Sequence, residues 1–134
     1  MERKLKAYFQ KRNSNIDQLL RKSSSAFTAD DFHKLRVEIK KEKALYKFID
    51  WQNRDFKRRT YFKANKKIFK SAGKVRDLHI EEKTLGKLAG KELPGYRNDL
   101  RLRESKKRIA FFRKNTTELK KELRSARAKV FPFL

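Results

Sequence analysis

Apolar residues recur at three- and four-residue spacing along the chain, and residues that break helices are scarce. All four Gly and both Pro lie at or after Gly73, so only the stretch "SSSAFT" interrupts the first 72 residues. The pattern predicts an all-α chain. A first helix fits about 2–22, with Leu5, Phe9, Ile16, Leu19 and Leu20 on its core side. After Ser23-Ser24-Ser25, Thr28 and Asp31 have the spacing of a capping box. Asp30 and Asp31 are placed where acids favour the positive end of a helix, so a second helix should start near Ala29 and run to about Trp51 or Asn53.

Further on, the spacing predicts a third helix over roughly 55–73, stopped by Gly73, and a short fourth over 76–90. The segment "ELPGYRND" reads as a loop because Pro94-Gly95 is a strong turn pair. A long last helix should span about 97–129, with Leu102, Ile109, Phe112, Leu119, Leu123, Ala126 and Val130 along one side. These elements make an antiparallel helical bundle of about four to five helices with a long C-terminal helix. At 134 residues it should be a single domain, 1–134, with one modest core.

Composition sharpens this picture in two ways. Hydrophobic residues are 37% of the chain and include eleven Phe, four Tyr and one Trp, too aromatic for a disordered basic tail. Lys and Arg total 39 against 16 Asp and Glu, a formal charge of +23, which points to a polyanionic partner: nucleic acid, an acidic membrane surface or a phosphate polymer. There is no Cys, and two separated His are a poor metal set, so neither a metal nor a cofactor is expected. No apolar run approaches the roughly 18 residues of a membrane span. The first residues lack the apolar centre of a signal peptide, so the expected location is cytoplasmic.

The second helix shows where the charge is organised. With His33 at zero and about 100° per residue, Arg36, Lys40, Lys43 and Lys47 fall between about 280° and 340°. Phe32, Leu35, Ile39 and Tyr46 flank this stripe on one side, and Val37, Ala44, Phe48 and Trp51 on the other. Lys34, Glu38, Lys41 and Glu42 fill the remaining arc, where mixed signs read as the solvent face. The stripe contains no acid, so its cations need water or a bound anion. Long stems lying over the edge of a core while the charges reach water would give a similar pattern. On the third helix Lys63, Lys66, Lys67, Lys70 and Lys74 share about 100° of arc, opposite Phe62, Phe69, Ala72 and Val75. Two basic stripes could therefore face one another.

The segments "FHKLRVEIKKEKALYKF" and "FKSAGKVRDLHI" resemble the two signature segments of the CHAD family, the conserved histidine α-helical domain. There, one helix carries a His, an Arg-Val pair three residues later and a basic run; a second segment carries Leu-Gly followed by Arg-Asp and an apolar residue. The resemblance covers residues 30–80. It implies a helical domain whose basic groove or pore binds inorganic polyphosphate, in some members with targeting to polyphosphate granules. It also assigns His33, Arg36, Lys40, Lys41, Lys43, Gly73, Arg76 and Asp77 to the signature, Lys41 standing outside the stripe above. The chain departs from the family pattern in having Lys where Arg is frequent, Ala72 before Gly73, and His79 where an acid is common. Arg holds phosphate bidentately and Lys acts more as a point charge, so affinity is affected more than ligand class.

The residues expected to hold the polyanion are thus His33, Arg36, Lys40, Lys43, Lys47, Lys63, Lys66, Lys70, Lys74 and Arg76. Family members usually hold two related halves and this chain resembles one, which makes a two-fold pair of chains an expectation. Nucleic acid is the alternative ligand, favoured by the same charge but lacking a recognised motif. Catalysis is not expected, because phosphoryl transfer generally uses carboxylate-held metal or a glycine-rich phosphate loop and neither is apparent. Glu81-Glu82 reads as a solvated pair. His33 either bonds phosphate, orients Arg36 or is structural, and His79 is expected to be structural.

Overall fold

Thr28 sets the start of the helix around which the others pack. In the computed structural model, which describes residues 1–115 and 117–134, the Thr28 hydroxyl accepts the Asp31 N–H at 3.2 Å and Asp31 accepts the Thr28 N–H at 2.8 Å. This capping box stabilises the helix start by about 1 kcal/mol. Burial alone would raise the Asp31 carboxyl, but the Thr28 N–H and the Lys22 ammonium at 3.0 Å outweigh it and leave the group below its ordinary range.

The helices are α1 (Glu2–Leu20), α2 (Ala29–Gln52), α3 (Arg58–Ala89), α4 (Pro94–Lys114) and α5 (Thr117–Val130), with single 3₁₀ turns at Ser24–Ala26 and Phe131–Phe133. No strand occurs among the described residues. Side-chain pairs give the directions: Arg12 with Glu38 and Phe9 with Tyr46 set α1 antiparallel to α2. Phe32 with His79 and Tyr46 with Phe62 set α2 antiparallel to α3. His79 with Glu104 and Glu81 with Tyr96 do the same for α3 and α4.

Three boundaries differ from the sequence expectation. The expected helices over 55–73 and 76–90 are one, since α3 runs through Gly73 without a break. One glycine inside a helix costs only about 1 kcal/mol relative to alanine, and the buried face continues past it through Val75. The stretch expected as one helix from 97 to 129 is instead divided between α4 and α5, with Asn115 closing α4 by an N–H bond to the Phe111 carbonyl at 3.0 Å. Leu102 and Ile109, expected to face the core, are 63% and 57% exposed, and Leu100 and Phe111 take the buried positions. The turn before α4 is shorter than expected, because left-handed Leu93 is followed directly by Pro94 at the first helical position.

The core has two apolar clusters. One joins Ile16, Phe32, Leu35, Ile39, Ile68, Phe111 and Leu123; the other joins Phe9, Leu45, Tyr46, Ile49, Phe56 and Val130. Fully burying a side chain such as Phe32 contributes about 1.5–3 kcal/mol. Between the clusters lies a polar layer. Glu42 on α2 and Asn65 on α3 are fully buried, and Arg127 on α5 is 8% exposed and donates to Asp17 on α1 at 2.7 Å. Glu42 therefore does not share the solvent face expected for it. Burial pushes its carboxyl up to about 8, with Asp17 and Glu38 adding to the rise and Arg127 and Asn65 opposing it, so it is mostly uncharged at neutral pH.

Candidate anion-binding groove

Because α2 and α3 run antiparallel, the acid-free stripe of one lies against the lysine stripe of the other. Between them is a groove of about 1000 Å³. Arg36, Lys40, Lys43 and Lys47 line it from α2, and Arg58, Arg59, Lys66, Lys70 and Lys74 from α3. Its floor holds Ile39, Tyr46, Phe62, Phe69 and Gly73, and Asp77 is the single acid on its walls among the described residues. Phe62 and Phe69 thus share a groove with Lys66, Lys70 and Lys74 rather than standing opposite them, as the helical projection placed them.

Arg36 is the most constrained cation. Its guanidinium lies 4.3 Å over the Phe69 ring, where the face of the π system favours positive charge. It also rests against Gly73, where a Cβ would come within 3.3 Å of the guanidinium carbon. Gly73 is therefore a close-approach position in mid-helix. Lys40 extends over the same ring at 5.9 Å.

The electrostatics follow from what the walls lack. Apart from Arg58, 3.5 Å from Asp50, the cations of the groove have no ion-pair partner among the described residues. Like charges crowd Lys74, whose ammonium is pushed below its ordinary value chiefly by Lys114 and then by Lys107, with Lys70 adding to the effect. Two rows of cations, all but Arg58 without an ion-pair partner among the described residues, suit a long, narrow anion bearing charge at close intervals. A multivalent anion there would replace repulsion between the rows with charge-assisted hydrogen bonds.

Of the residues expected at the site, Arg36, Lys40, Lys43, Lys47, Lys66, Lys70 and Lys74 come together here. Lys63 is exposed and outside the groove. His33 and Arg76 lie beyond its end, in a separate depression of about 520 Å³ with Asp30, His79, Glu82 and Arg97. Neither meets the main rows. Arg58 and Arg59 were not expected, although Arg59 precedes Lys66 by seven residues, two helical turns on one face. Lys107 and Lys114 could not be anticipated, because their approach to Lys74 depends on how α4 packs.

Other charged residues have different work. His79 bonds Glu104 at 3.2 Å and stands edge-on to Phe32, and Arg108 holds the same Glu104 at 3.0 Å. Glu81 accepts the Tyr96 hydroxyl and Glu82 pairs with Arg101 at 3.6 Å, so the two acids join α3 to α4. On the far shoulder of the α2 stripe, Trp51 is 81% exposed and builds no core. Among the described residues, no helix is long and apolar enough to cross a membrane. Comparison of the chain with protein-family models, curated proteins and solved structures returned no match.

Proposed function

We propose that this chain is a non-catalytic module that binds inorganic polyphosphate in the α2–α3 groove. The observation that carries this reading is that, among the described residues, nine cations and a single acid stand on the walls of one groove. From Arg36 to Lys47 the α2 row runs about 16 Å at 1.5 Å per residue, with the α3 row facing it. Polyphosphate carries a charge on every repeat and has no bases to accommodate, so regularly spaced cations suffice. The resemblance of the 30–80 segment to the CHAD family supports the same ligand class, and with it recruitment to polyphosphate granules. Two chains held on one long polymer would restore the doubled arrangement usual in that family.

A second reading is nucleic acid, for which the exposed Trp51 offers a stacking surface. The groove itself speaks against it, since its Phe69 ring lies under Arg36 and Lys40 rather than standing as a free platform. Titration with long-chain polyphosphate, a short oligophosphate and duplex DNA at two salt concentrations separates the readings. Polyphosphate should bind most tightly and lose affinity steeply with salt as condensed counterions are released. Equal or tighter binding to DNA of matched charge overturns the proposal.

A further inference from the structure

On the other side of α3 lies a second groove, of about 360 Å³, that shares two residues with the first. Lys70 and Lys74 line both, and Lys114 of α4 stands on the second one's wall. Lys107 lies seven residues before Lys114, two turns away on the same face of α4. Neither Lys107 nor Lys114 has an ion-pair partner among the described residues. The α5 wall is different: it presents Glu118 and Glu122, and Glu122 is 3.5 Å from Lys67. An anion entering this groove is therefore confined to its α3–α4 side.

We propose that the polyphosphate path crosses α3 at Lys70 and Lys74 and continues to Lys114 and Lys107, so that the second groove selects long polymers over short ones. This rests on the polyphosphate reading of the first groove. A polymer leaving the first groove at Lys74 meets two further unneutralised cations, whereas an oligomer that fits within the first groove never reaches them. The repulsion that Lys114 and Lys107 exert on Lys74 has the same geometric origin, and phosphate placed among the three would relieve it. Glu118 sets the outer limit of the path by opposing any anion that drifts toward α5.

The test measures affinities of long-chain polyphosphate and tripolyphosphate for the unaltered chain, for Lys107→Ala/Lys114→Ala and for Glu118→Gln. The double variant should lose several-fold affinity for the long polymer and keep its affinity for tripolyphosphate, while Glu118→Gln should bind the long polymer more tightly. An equal loss at both lengths would show a general charge effect, and no loss at either would show a path that ends in the first groove; each overturns the proposal. If the unaltered chain binds neither length, or prefers duplex DNA, the reading of the first groove itself fails.

Discussion

On the flank of α2 that faces α1, Lys34 pairs with Asp30 at 3.0 Å, Lys41 with Glu38 at 3.7 Å, and Arg12 of α1 with the same Glu38 at 3.2 Å. On the flank that faces α3, Arg36, Lys40, Lys43 and Lys47 lie along a groove and find no such partners among the described residues. Both flanks belong to one 24-residue helix and both are rich in Lys. What separates them is the placement of the acids. The exposed pair of Lys34 with Asp30 contributes about 0–1 kcal/mol, and pairing along this flank leaves little positive potential for a ligand. In a chain of formal charge +23, the site is marked less by where cations stand than by where carboxylates are missing.

Between the two flanks Glu42 turns inward, and pH decides whether it is an acid at all, which gives the largest expected effect. Its carboxyl, ordinarily near 4.5, is held near 8 in the fold, so the folded chain keeps a proton that the unfolded chain gives up. This contribution to stability is complete below about pH 4.5 and is lost as pH rises toward 8. The slope is at most about 1.4 kcal/mol per pH unit. Urea unfolding of the chain and of Glu42→Gln at several pH values should show the slope in the former and its reduction in the latter. Parallel profiles would mean that the carboxyl ionises freely in the fold.

A smaller effect, on binding, tests the flanks against one another. Removing Arg36 and Lys40 together should weaken polyphosphate binding by about ten- to a hundred-fold, the range expected for loss of two charge-assisted contacts. Removing Lys34 and Lys41 deletes the same formal charge from the paired flank and should change affinity by less than about two-fold. Equal losses in calorimetric titration would reduce the comparison to net charge.

The smallest effect expected is that of Gly73→Ala. The helix gains intrinsic propensity, up to about 1 kcal/mol, while the new methyl carbon presses on the Arg36 guanidinium at 3.3 Å. Because that group ends a flexible side chain, stability should hold or rise as affinity falls a few-fold. Thermal unfolding and titration of the same sample should therefore move apart; a joint decrease would show that Gly73 serves the packing of α3 alone.

How far the sequence reached differs by element. The start of α2 was readable from Thr28 and Asp31, because a capping box is local chemistry. The stripe from Arg36 to Lys47 was readable because helical phase alone puts those residues on one side. The continuity of α3 was not, since a glycine signals a helix end only when the chain beyond it gains nothing from remaining helical. The end of α4 at Lys114 was obscured by Leu102 and Ile109, which keep an apolar rhythm although they face water. Glu42 was placed in solvent for a related reason. Helical phase sets its direction correctly but says nothing of α1, α3 and α5 closing over it. His33 stands one turn before Arg36 and Arg76 one turn after Gly73, yet the end of the groove falls between these two and Arg36.

The polar layer between the two apolar clusters has a bearing on the groove that none of its members touches. An apolar interface tolerates sliding, since one leucine replaces another at little loss; a layer holding Glu42, Asn65 and Arg127 at a single level does not. A displacement of α2 by one turn, about 5.4 Å, would carry Glu42 away from Asn65 and Arg127 and press the buried carboxyl against hydrocarbon. The layer thus serves as an index mark between helices, and the alignment of Lys40 and Lys43 with Lys66 and Lys70 across the groove is inherited from it.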